Sequence, residues 1–241
     1  MSFSLLDPAI WGGLLTLSVL EIVLGIDNVV FLAVLVARLP DDQKDGARKL
    51  GLLIAFVLRI VLLAALFVVI GLTQPVFQIG GIGLSWRDVV LIAGGLFLLY
   101  KATHEIHGDI EGYGEDEASL AAKGRSAFAG IIVQIAVIDL VFSIDSIVTA
   151  IGIAEHIEVM IAAIVIAMLV MYFAATVVGK FIDRHPSTKM LALSFLLLIG
   201  MALIADGAHF HIPREYIYVA MAFSGLVEAF NILARRGRTK S

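Results

Sequence analysis

Cysteine is absent from all 241 residues, and only 16% of them are charged. Without thiols there can be no disulfide framework, no thiolate metal site and no redox pair. Soluble domains carry about 25% charged residues. Here the deficit goes with 60% apolar residues and a mean hydropathy of +1.00, which excludes disorder and makes lipid the main solvent. The net charge of −4 is small for this length and argues against nucleic acid as a partner. No Ser/His/Asp, P-loop or metalloprotease motif is found, so an enzyme is not expected. No Lys or Arg precedes the first apolar stretch, which is long and contains Glu21 and Asp27, so a cleavable signal peptide is not expected either. The alternation of a β-barrel is missing as well: Leu62 to Ile70 is apolar without interruption.

What is present is a series of apolar stretches long enough to cross a bilayer, which takes about 20 residues in a helix. Seven can be drawn, near 10–37, 50–72, 86–104, 127–153, 157–180, 189–208 and 214–234. The expected fold is therefore all-α, a polytopic membrane bundle of about seven helices. The third span is the shortest, with a core from Val89 to Tyr100, and Trp86 suits an interfacial anchor. Asp7-Pro8 reads as an N-cap followed by proline at the first helical position. Lys and Arg divide 14 to 2 between alternate loops, counting the tail, with Arg87 and Arg214 alone on the poor side and Arg59 inside a span. By the positive-inside rule the N-terminus faces out and the C-terminus faces the cytoplasm.

The chain also repeats itself. Residues 20–32 read LEIVLGIDNVVFL and residues 138–150 read IDLVFSIDSIVTA, which aligns Glu21 with Asp139, Asp27 with Asp145, Asn28 with Ser146 and Gly25 with Ser143. The spacing Gly95, Lys101, His104 recurs as Gly200, Asp206, His209. Two units of three spans are implied, and an odd number of spans turns the second upside down relative to the first. Inverted repeats of this kind are a common plan of secondary transporters, with the site near the midplane. The expected organisation is a first repeat at 1–110, an acidic cytoplasmic loop at 111–126, a second repeat at 127–212, and a final span with a basic tail at 213–241.

Ionised carboxylates in mid-membrane cost at least ~2.5 kcal/mol each and are functional by default. Ser18, Glu21, Gly25 and Asn28 share one helical stripe with Asp27 beside it; Asp139, Ser143 and Ser146 repeat the stripe with Asp145 beside it. If Gly25 or Ser143 loosens its helix, both acids of a pair can converge. Glu21, Asp27, Asn28, Asp139, Asp145 and Ser146 then form an all-oxygen set suited to Mg²⁺, Ca²⁺ or Mn²⁺, with no sulfur to favour softer metals. A metal-free proton relay and interhelical hydrogen bonding by protonated acids are the competing readings. Arg59 is a fixed ion-pair partner or a tethered counter-ion for these acids. Glu228 and Asn231, three apart in the last span, are a polar patch at the helix end or an accessory part of the path. Lys101 is expected to snorkel, and Asp206 is no ligand by spacing alone. In the third loop, HEIHGDIEGYGEDE, His104 and His107 give a weak metal signal, and the acids from Glu105 to Glu117 read as a solvated loop.

The segments EIVLGIDNVVFL and DLVFSIDSIVTAIG, with HPSTKMLALSFLLLIGMALI and the terminal VEAFN, resemble the TerC family of integral membrane proteins over almost the whole chain. The likeness is to the short bacterial members without soluble domains, which implies the bacterial inner membrane. The family is associated with manganese homeostasis, so the resemblance implies that the six residues above handle Mn²⁺ or a similar hard divalent ion as transported cargo. It implies no permanently bound cofactor. Export against protons is the leading expectation, with lipid, the ion and protons as partners and homo-oligomerisation left open. The alternative is a non-transporting membrane factor that assists insertion, maturation or metalation of other proteins.

Overall fold

A computed structural model describes residues 8–79, 82–111, 117–151 and 156–238. In chain order the elements are α1 (Pro8–Val36), α2 (Asp41–Ala64), α3 (Leu66–Gly71), β1 (Pro75–Ile79), β2 (Ile82–Ser85), α4 (Trp86–Glu111), α5 (Glu117–Ile151), α6 (Ile157–Arg184), α7 (Pro186–Gly207) and α8 (Arg214–Arg238). Six of these helices are long and apolar enough to cross a membrane, and the molecule is an all-α membrane bundle as expected. The stretch drawn as the second span differs. It is divided by Ala65, whose φ of −89° and ψ of 27° leave the helical basin, and its longer part, α2, carries Arg48, Lys49 and Arg59.

Local chemistry sets the element ends. Pro8 and Pro186 open α1 and α7, where proline's missing N–H has no helical partner to lose. Helix α4 starts on a capping box: the Ser85 N–H and hydroxyl donate to Asp88 Oδ2 at 2.8 and 2.7 Å, and the Asp88 N–H donates to Ser85 Oγ at 3.2 Å. Ahead of it, β1 and β2 pair antiparallel, and Phe77 packs edge-on against Trp86 with ring centroids 5.6 Å apart. This hairpin is a departure from the expected all-helical chain.

The third loop is also shorter than expected. Helix α4 continues through His104 and His107 to Glu111, and α5 begins at Glu117 rather than near 127. Glu105, expected in solvent, is buried and bonded to Arg38, with Lys101 Nζ 3.8 Å from its other oxygen. Of the remaining acids in that run, Asp109 pairs with Lys189 at 2.8 Å and Glu111 with His107 at 3.4 Å. Glu115 and Asp116 lie outside the described residues.

In packing, α1 lies chiefly on α6, α2 on α5, and α4 on α7. Exchanging the two proposed repeats turns the first of these pairs into the second and leaves the third unchanged. The α4–α7 crossing brings two backbones together: a Cβ on Gly95 would stand 2.5 Å from the Gly200 carbonyl, and one on Gly200 would stand 2.9 Å from the Gly95 carbonyl. Small residues that bring backbones together are a main source of helix association in lipid. Gly95→Leu or Gly200→Leu is therefore expected to destabilise the bundle by at least ~1–3 kcal/mol, the usual cost of overpacking. Gly130→Ala, with nothing within 4 Å, is the neutral control. Size-exclusion profiles after a heat step would read both, and an unchanged Gly95→Leu profile would refute the contact.

Ion pairs cluster at one end of the bundle, where Arg48 and Lys44 reach Asp183 at 3.2 and 3.5 Å and Lys189 reaches Asp109. This is the end that carries the cation-rich loops. Lys44 also bonds Asp41 at 2.8 Å and holds that exposed carboxyl below its ordinary range.

Candidate functional site

Among the described residues, two polar clusters lie within the bundle. The central one is built from α1, α2 and α5. Glu21 and Asp139 come from equivalent positions of the two similar motifs, and Arg59 of α2 sits between them. Its Nη1 is 2.6 Å from Glu21 Oε2 and its Nη2 is 3.2 Å from Asp139 Oδ1, with all three side chains buried. The Asn28 Nδ2 donates to Asp139 Oδ1 at 3.3 Å, and the Ser143 hydroxyl donates to Asp139 Oδ2 at 3.2 Å. The Ser146 hydroxyl donates to the Ser143 carbonyl at 3.3 Å and lies beside Glu21. Glu21 and Asn28, seven apart on α1, thus face Ser146 and Asp139, seven apart on α5.

The second cluster lies toward the other end, opposite the dense ion pairs. Asp145 accepts hydrogen bonds from Arg87, at the start of α4, and from Arg214, at the start of α8. Arg214 Nη2 is also 3.9 Å from Asp206, whose other oxygen is 3.3 Å from His211 Nδ1. Asp27 is buried within electrostatic reach of Arg214, and its Oδ1 has no hydrogen-bond partner. It lines a small cavity of about 10 Å³ with Asp206, Arg214 and Tyr218. A larger, open cavity of about 750 Å³, flanked by Thr16 and Val19 of α1, leads to Asp145, Arg87, Arg214 and Asp206.

This division corrects the expected convergence of four carboxylates. Helices α1 and α5 run unbroken through Gly25 and Ser143, so acids six apart stay about 9 Å apart along the axis and about 120° apart around it. Glu21 meets Asp139, and Asp27 and Asp145 both adjoin Arg214. Among the described residues no three Asp, Glu or His side chains come together in a group that could hold a metal ion. Gly25 serves packing instead, since a Cβ there would stand 2.4 Å from Met171 Sδ.

Glu228 and Asn231 join neither cluster: Glu228 accepts a hydrogen bond from the Ser187 hydroxyl at the start of α7, and Asn231 is exposed. Conversely, Arg87 and Arg214, which the loop count treated as topology markers, and Asp206, which spacing alone could not assign as a ligand, belong to the second cluster. Their signal was available. The only two cations on the cation-poor side each open a helix, and such cations are candidates for the acids buried nearby.

Comparison with known proteins bears out the resemblance carried by GIDN and SIDS. The profile of the integral membrane protein TerC family matches residues 6–241. The chain belongs to the TerC family. Relatives share its length or exceed it. The chain is 50% identical over 230 residues to the UPF0053 inner membrane protein YgdQ of Escherichia coli strain K12, covering 95% of each. It is 48% identical over 230 residues to a UPF0053 protein of Haemophilus influenzae, covering 95% of this chain and 96% of that one. With UPF0053 inner membrane protein YoaE of E. coli K12 it is 48% identical over 232 residues, which are 96% of this chain and 44% of YoaE, so the chain spans less than half of that relative. No solved structure matches this TerC-family chain.

Proposed function

We propose that this TerC-family protein is a secondary transporter that exports a divalent cation, manganese(II) foremost, in exchange for protons. The observation that carries the reading is the pair of equivalent carboxylates, Glu21 and Asp139, held on one buried arginine. Two acids at mid-membrane need a permanent or exchangeable counter-charge. Arg59 fills that role in the arrangement described, and an arriving cation competes with its guanidinium for the same oxygens. The relatives' names, inner membrane proteins, support the location. The end bearing most Lys and Arg faces the cytoplasm in this reading, which puts the N-terminus outside. The metal is cargo, no cofactor is resident and no covalent chemistry is assigned.

Protein in liposomes is expected to move Mn²⁺ with proton counterflow, and Asp139→Asn, Asp27→Asn or Asp145→Asn is expected to abolish that flux. Full flux in all three variants would sink the proposal. One feature favours the rival reading, a membrane factor that acts on other proteins. Tyr216, Phe223 and Phe230 recur every seven residues along one exposed face of α8, a candidate membrane span, where a helix of another protein would meet them within the lipid. That reading predicts co-purifying proteins and no flux.

A further inference from the structure

Sulfur is absent from the ligand set anticipated by sequence, yet two methionines of α6 border the central cluster. Met168 and Met171, both buried, line a cavity of about 20 Å³ together with Asn28, Asp139 and apolar residues that include Phe31, Leu52 and Ile135. That volume is about what one water molecule needs, and a single ion without its hydration shell needs no more. The cavity's polar lining is Asn28 and Asp139. Asn28 Oδ1 is buried and without a hydrogen-bond partner, while the same amide's nitrogen is used on Asp139. Sulfur reaches this lining because of one residue. Any side chain at position 25 would collide with Met171 Sδ at 2.4 Å, so glycine is what lets the thioether lie against α1 one turn before Asn28. A methionine that only fills a core gap needs nothing but apolar neighbours, whereas this cavity also holds a carboxylate and an unpaired amide oxygen.

We propose that the Met171 thioether, with Met168 beside it, is a ligand to the transported cation alongside Asp139 and Asn28, and selects transition-metal ions over Mg²⁺ and Ca²⁺. This rests on the transport reading above and names its cargo class. Carboxylate and amide oxygens suit all of these ions, so they cannot discriminate among them. A thioether is a soft donor that Cd²⁺ prefers; Mn²⁺ favours oxygen but tolerates a sulfur neighbour better than Mg²⁺ and Ca²⁺, which demand oxygen, and Mg²⁺ gives up water reluctantly. Stripping an ion to fit this cavity therefore favours the metals that gain a sulfur contact in return.

The test uses the full chain in liposomes with Mn²⁺, Cd²⁺, Mg²⁺ and Ca²⁺ supplied separately and in competition. Met171→Leu and the Met168→Leu/Met171→Leu double variant conserve volume and remove only sulfur. Each is expected to lower the Mn²⁺-to-Mg²⁺ rate ratio by about tenfold or more, and the Cd²⁺-to-Mg²⁺ ratio further, by loss of the soft donor. X-ray absorption on Cd²⁺-loaded wild-type protein should show a sulfur neighbour, a result that does not depend on the variants folding. Unchanged ratios, or an all-oxygen shell around Cd²⁺, would overturn the proposal. If wild-type protein moves none of the four ions, the transport reading fails and this inference falls with it. If it moves them and the variants keep their ratios, only the inference falls.

Discussion

Replacing Arg59 with methionine is expected to cost the folded protein ~3–5 kcal/mol, the usual effect of removing one partner from a buried ion pair. Arg59 is the shared cation of Glu21 and Asp139, so its loss strands two carboxylates in a medium that does not solvate them. The same argument predicts rescue. In an Arg59→Met/Glu21→Gln/Asp139→Asn variant no charge is left to strand, and stability should return to near the parental value. Thermal unfolding of the purified proteins in detergent reads both effects. An Arg59→Met protein as stable as its parent would show that the guanidinium is not the counter-charge, and failure of the triple variant would show that it acts by packing rather than by charge.

A chain without cysteine is its own background for thiol labelling. Thr16→Cys places a thiol on the open cavity of about 750 Å³ beside Arg214 and Asp145. Ala55→Cys places one at a buried position on the small cavity next to Asp139. Because the charged reagent must enter through water and the reactive species is the solvated thiolate, the first is expected to react with a membrane-impermeant thiosulfonate at least about 100-fold faster than the second. Labelling of Thr16→Cys in intact cells also reads the orientation, since the positive-inside rule puts that mouth outside. Equal rates at the two positions would mean that the open cavity does not admit water.

Much of this architecture is legible from one sequence because lipid imposes strong constraints. The apolar stretches near 86–104, 157–180 and 189–208 correspond to α4, α6 and α7, and Pro8 marks the first turn of α1. The two acidic motifs are conspicuous for a physical reason: charge inside a span is costly enough to stand out against an apolar background. What escaped was whatever depends on three-dimensional neighbours. The stripe Ser18, Glu21, Asn28 could be drawn on a helical wheel, but which acids share a partner could not. The continuity of α1 through Gly25 decided that, because glycine signals a break or a close approach with equal force, and here it admits Met171. Methionines in an apolar span carry no pattern of their own, which hid the thioethers. The hairpin was readable in principle, since Gly80-Gly81 between short apolar runs is a turn signal, but a search for spans passes over it. Likewise α4 outlasts its apolar core because Arg38 satisfies Glu105, a contact between residues far apart in the chain.

The central cluster has an electrical consequence. Glu21, Asp139 and Arg59 together carry one formal negative charge, and in the transport reading proposed above a bound divalent ion would make that one positive. A membrane potential of 100 mV is worth ~2.3 kcal/mol for each elementary charge carried across it. In that reading the empty and loaded forms are pushed in opposite directions by the same voltage, and any field the cluster crosses would help one half of a transport cycle as it hinders the other. Holding Arg59 in place halves the charge that the empty site must carry, and makes the two opposing steps equal in size.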